Sequence, residues 1–89
     1  LVLSIPDWGR SPFAQGRNTA QIATEIDAFN AVAQDECRKA GIAYVNITPL
    51  TRQATDASQF APDGLHYSGK QMRNWAEQAR LVAKQLLSR

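Results

Sequence analysis

Two short apolar runs on either side of a long amphipathic stretch constrain this chain most. Leu1-Val2-Leu3-Ser4-Ile5 is closed by Pro6, which cannot donate to a sheet ladder. Ile42 to Ile47 is rich in β-branched and aromatic residues and reads as a second strand. Between them, Ile22, Ile26, Phe29, Ala33, Cys37 and Ala40 recur at steps of three and four, the mark of a helix with one apolar stripe. Asn18 or Thr19 can cap this helix. Arg38 and Lys39 fall in its last turn, where cations suit the dipole, and Gly41 is its stop signal. A strand, a crossover helix and a second strand make the sheet parallel and the fold α/β.

The remainder supplies a long connection and one more helix. Pro6 to Pro12 reads as a loop from its turn residues, and Thr48 to Tyr67 as a loop of functional length. Ser68, with Gln71 three residues on, predicts a capping box. Met72, Trp75, Ala76, Ala79, Val82, Ala83 and Leu86 form the buried stripe of the last helix, and Arg73, Glu77, Arg80 and Lys84 its wet stripe. Parallel strands are buried on both faces, and two strands with two helices cannot cover one another. The expectation is therefore that residues 1–89 are the C-terminal portion of a single, larger domain whose N-terminal part lies upstream. Leu1 to Ile5 reads as strand interior, and Leu86-Leu87-Ser88-Arg89 as a natural terminus. Exposed edges of two apolar strands predict that the chain self-associates or pairs with that N-terminal part.

Charge and composition exclude several classes of function. Ten basic and eight acidic residues give a net charge of +2, with no basic patch to suggest nucleic acid. Glu77 interrupts Arg73, Arg80 and Lys84, which read as a solvated helix face. No apolar stretch approaches the ~20 residues of a membrane helix, so no membrane insertion is expected. Leu1 to Pro6 has neither the basic region nor the cleavage site of a signal peptide; localisation stays open. The single Cys37 falls on a helix stripe and reads as a small core residue.

The chemistry concentrates in Asp63-Gly64-Leu65-His66, which holds the only histidine. Acyl transfer needs a neutral imidazole as base near neutrality and a carboxylate that holds it in one tautomer. Asp and His at i and i+3 of a turn can place both groups on one side of the backbone. The pair lies in the loop after the second strand, at the carboxyl edge where open α/β sheets bind ligands. One His and one Asp supply at most two metal ligands, so no metal or other cofactor is expected.

In this setting the chain resembles the C-terminal part of an SGNH (GDSL-type) hydrolase. The resemblance rests on Asp63-Gly64-Leu65-His66-Tyr67-Ser68, similar to that family's D-x-x-H block before its last helix. Tyr44 to Leu50 is similar to the preceding strand, with Asn46 where members often carry Asp. Ser4 to Gly9 and Ser11-Pro12-Phe13 are similar to an earlier strand and pocket loop. The resemblance implies a flavodoxin-like, three-layer α/β/α sandwich with a parallel sheet, of which this chain is the βαβα portion. It implies a serine esterase acting on an acetyl ester, a short-chain ester or a lysophospholipid. His66 would be the general base and Asp63 its orienting carboxylate. The G-D-S nucleophile block and the oxyanion-hole blocks do not occur in residues 1–89. These residues alone are therefore expected to be inactive. In the complete enzyme the rate should rise with pH through the titration of an imidazole.

Blander readings stand beside these. His66 also suits a half-exposed loop histidine. Asp7 and Trp8 read either as lining of a substrate pocket or as a turn-former and a packing aromatic. Tyr67 reads as a substrate flank or a packing residue. A non-catalytic α/β binding module and a relative that has lost its serine remain the alternatives to an esterase.

Overall fold

A computed structural model describes residues 1–54 and 56–88. It overturns the expected three-layer sandwich: the chain is mostly helical, and its sheet has only two parallel strands. Strand β1 is Val2–Leu3 and strand β2 is Tyr44–Val45, with Val2 opposite Tyr44 and Leu3 opposite Val45. The two strands end for different reasons. In β1, Pro6 falls next after Val2 and Ser4 in the register that donates to β2 and has no amide, whereas β2 is diverted by a side chain. The Ile5 amide donates to Asn30 Oδ1 at 3.0 Å, and Pro6 has no donor. On the other strand, the amides of Ile47 and Thr48 donate to the buried Ser4 Oγ at 2.7 and 3.0 Å. That hydroxyl turns the chain out of the sheet.

The crossover helix α1 is Thr19–Ala40, as its periodicity predicts. Asn18 caps it by accepting from the Gln21 amide at 3.0 Å. Gly41 ends it in the left-handed region, with φ 69°, where a side chain would be strained. Ile22, Ile26 and Cys37 are buried, but Phe29 of the same stripe is 67% exposed. Among the described residues no third strand lies beside β1 and nothing covers this side of α1; Val2 and Leu3 are themselves exposed.

The stretch from Thr48 to Tyr67 is not one loop. Helix α2, Thr48–Arg52, starts with Pro49 in its first turn, where a missing amide costs nothing. A single 3₁₀ turn, Ala57–Gln59, follows, and Phe60 then bridges back to Tyr67. Thr55 lies outside the described residues, as does Arg89 of the expected terminus. Helix α3 is Gly69–Leu87. Ser68 is at its N-cap, yet the expected capping box does not form. Ser68 Oγ donates instead to the Ser58 carbonyl at 2.6 Å. Gln71 is buried, its amide nitrogen donating to the Leu50 carbonyl at 3.2 Å and to Gln59 Oε1 at 2.9 Å. Tertiary partners on α2 and the 3₁₀ turn outcompete the local cap. The α3 stripe is correspondingly wet, with Met72 48% exposed.

Candidate active site

The turn carrying Asp63 and His66 is held from several directions. Gly64 adopts φ 71°, a left-handed conformation that favours glycine over any residue with a Cβ. Its amide donates to the Ala61 carbonyl at 2.9 Å, and its carbonyl accepts from the Phe13 amide at 2.9 Å. The His66 carbonyl accepts from the Ala61 amide at 2.8 Å. The turn is thus tied both to its own strand-like return and to the loop that follows β1.

Within it, Asp63 uses both oxygens. Oδ1 accepts from the amides of Leu65 and His66, each at 2.9 Å. Oδ2 lies 2.5 Å from His66 Nδ1. The hydrogen bond from His66, then those from the two amides, lower the Asp63 carboxyl from 3.8 to about 2. An ionised carboxylate only accepts, so the shared proton is assigned to Nδ1. In the neutral ring that leaves Nε2 as the acceptor, the tautomer a general base needs. The His66 side chain is 73% exposed, and among the described residues Nε2 has no hydrogen-bond partner.

His66 lines a cleft of about 380 Å³ with Pro6, Trp8, Leu65, Tyr67, Met72 and Trp75. Sequence reasoning placed Trp8 and Tyr67 near the site, and the structure brings both to this cleft. Tyr67 is buried, with its ring centroid 4.9 Å from Phe60 and 5.6 Å from Trp75. Its hydroxyl donates to the Asp7 carbonyl at 2.6 Å, and burial pushes that hydroxyl above its ordinary range. Trp8 is half-buried beside Phe13, and the Arg17 guanidinium stands 4.7 Å from the Phe13 centroid. Leu65, Met72 and Trp75, which the sequence does not single out as site candidates, line the same cleft. Met72 and Trp75 carry the apolar helical spacing of core positions, which does not separate a closed core from an open cleft.

Asp7 is placed elsewhere. Its carboxylate is 1% exposed, and Oδ1 accepts from the Gly9 amide at 2.9 Å to cap the 3₁₀ turn Trp8–Arg10. Oδ2 accepts from Arg52 Nε at 2.8 Å. With both oxygens engaged, Asp7 takes the turn-forming part of its two readings.

The serines of residues 1–54 and 56–88 are committed away from His66. Ser4 Oγ accepts from two amides, and Ser11 Oγ donates to the Trp8 carbonyl at 2.6 Å. Ser58 Oγ bonds Asp56, Ser68 Oγ bonds the Ser58 carbonyl, and Ser88 Oγ bonds carbonyls of α3. Among the described residues no group of three or more His, Cys, Asp or Glu could hold a metal ion. No helix is long and apolar enough to cross a membrane.

No protein-family model matches this chain, and no curated protein or solved structure matches it significantly.

Proposed function

We propose that Asp63 and His66 are the acid–base half of a serine esterase site of the SGNH type, completed by a serine outside residues 1–89. The observation that supports this reading is the Asp63 Oδ2 to His66 Nδ1 hydrogen bond at the wall of an apolar cleft. In the reaction, Nε2 takes the proton of the serine Oγ as that oxygen bonds to the ester carbonyl carbon. The tetrahedral intermediate collapses by breaking the bond to the alkoxide, which receives the proton from Nε2. Water repeats the sequence and releases the acid. Asp63 keeps the ring in the required tautomer and balances the imidazolium at each half-reaction.

The test is hydrolysis of a chromogenic ester by the protein that carries this chain together with its serine. His66→Ala is expected to lower the rate by at least about 10²–10⁴-fold with the fold retained. Equal rates in both proteins, or none in either, would leave the binding module or the serine-less relative in its place. Residues 1–89 by themselves are expected to show no turnover.

A further inference from the structure

Both tryptophans of the chain line one cleft, and the only imidazole lines it with them. We propose that this cleft is an acyl-chain site: it binds a neutral, unbranched apolar chain of medium length with the carbonyl end toward His66. This deepens the esterase reading by narrowing its substrates, since an acetyl group leaves most of the cleft empty.

The first support is where the aromatic side chains send their polar atoms. The Tyr67 hydroxyl donates to the Asp7 carbonyl at 2.6 Å, and Trp75 Nε1 donates to Gln71 Oε1 at 2.9 Å. These two rings keep hydrocarbon for the cleft and spend their donors elsewhere. Pro6, Leu65 and Met72 add none. His66 is the one ionisable side chain on the wall besides the Tyr67 phenol, whose hydroxyl is turned inward. A sugar with several hydroxyls or a charged headgroup entering this space would give up its water for at most His66 Nε2 and the Trp8 indole N–H, which is costly. A methylene chain gains on the same transfer.

Size and wetness point the same way. About 380 Å³ lies at the lower end of small-ligand pockets, roughly 300–1,000 Å³. Met72 is 48% exposed, and Trp8, Leu65 and Trp75 are half-buried, so apolar surface here still faces water that a chain would displace.

The experiment titrates the protein with hexanamide and with acetamide, neutral acyl mimics that differ by four methylenes. The two indole N–H signals and the single imidazole serve as NMR reporters. Hexanamide is expected to shift all three saturably. Each fully buried methylene tightens binding about fourfold, so even partial burial predicts at least about a tenfold preference over acetamide. Met72→Gln, at an exposed position, is expected to weaken hexanamide binding and leave the other signals in place. No saturable shift, or equal binding of the two amides, would overturn the proposal. So would indole shifts that follow protein concentration without ligand, which would mean that a second copy fills the cleft. Hexanamide binding in a protein whose ester hydrolysis is indifferent to His66→Ala would sink the esterase reading and leave the acyl-chain site standing. Hydrolysis that depends on His66, without hexanamide binding, would do the reverse.

Discussion

Arg52 Nε donates to Asp7 Oδ2 at 2.8 Å, joining the loop after β1 to helix α2 across 45 positions of sequence. The same guanidinium reaches Asp27 Oδ1 at 2.9 Å and the Ala23 carbonyl at 3.2 Å, both on α1. One side chain therefore ties three segments together. The hydrogen bond to Asp7 is the main reason its guanidinium is held above the ordinary arginine range. The tie bears on the candidate site, because the Asp7 carbonyl anchors the hydroxyl of Tyr67, the residue after His66.

The two carboxylates on Arg52 are expected to differ sharply in what they contribute. Asp7 is 1% exposed at its side chain and Asp27 is 61% exposed. Arg52→Ala would leave the Asp7 charge buried with only the Gly9 amide as partner, at a cost of about 2–4 kcal/mol. Asp27→Ala removes a solvated pair and should cost less than about 1 kcal/mol. Urea denaturation of the two variants checks this. Equal, small losses would mean that water reaches Asp7.

Two glycines are expected to respond to alanine with opposite sign. A Cβ on Gly9 would lie 2.9 Å from Asp7 Oδ1 and 3.2 Å from Ile22 Cγ2, both buried. Something must shift, and Gly9→Ala should destabilise by about 1–3 kcal/mol. Gly69, at the start of α3, has nothing within 4 Å of the added atom. Gly69→Ala should stabilise by up to about 1 kcal/mol through reduced freedom of the unfolded chain. Thermal unfolding midpoints should move down and up, respectively.

The apolar surface left open by a two-stranded sheet should make the chain associate. Phe29 and Val32, three residues apart on α1, are 67% and 64% exposed. Leu1, Val2 and Leu3 are exposed as well. Light scattering is expected to give a mass that rises with concentration, and Phe29→Lys with Val32→Lys to reduce it. A monodisperse monomer in the unchanged protein would contradict this.

What could be read in advance was local. The limits of α1 follow from Asn18, Gly41 and a regular apolar step, all settled within the helix itself. The D-G-x-H turn is equally self-contained, since Gly64 permits the bend and Asp63 bonds amides two and three residues on. What failed depended on distant partners. Strand β2 stops where Ser4 intercepts the Ile47 and Thr48 amides, and Ser68 and Gln71 abandon their capping box for Ser58, Leu50 and Gln59. The Asp7–Arg52 pair left no sequence signal either, because nothing local relates positions that far apart. A resemblance whose one sharp motif is the D-x-x-H block could suggest chemistry, but it carried a sandwich that these residues do not build.

Asp63 offers the most direct test of the site geometry, through its titration. Its folded value, about 2, lies below the ordinary 3.8 because His66 and two amides donate to the ionised form. A depressed carboxylate favours the folded turn above its unfolded value, and that contribution is lost as pH falls through the folded one. The Leu65 and His66 amide shifts should therefore hold steady down to 3.8 and change between there and about 2. The Asp63 carboxyl carbon, followed by NMR, should show its midpoint at the lower end of that window. His66→Ala removes the imidazole donor and keeps both amides, so the midpoint should rise without reaching 3.8. A midpoint near 3.8 in the unchanged protein would show that Asp63 does not hold His66, and the acid–base pair would lose its physical basis.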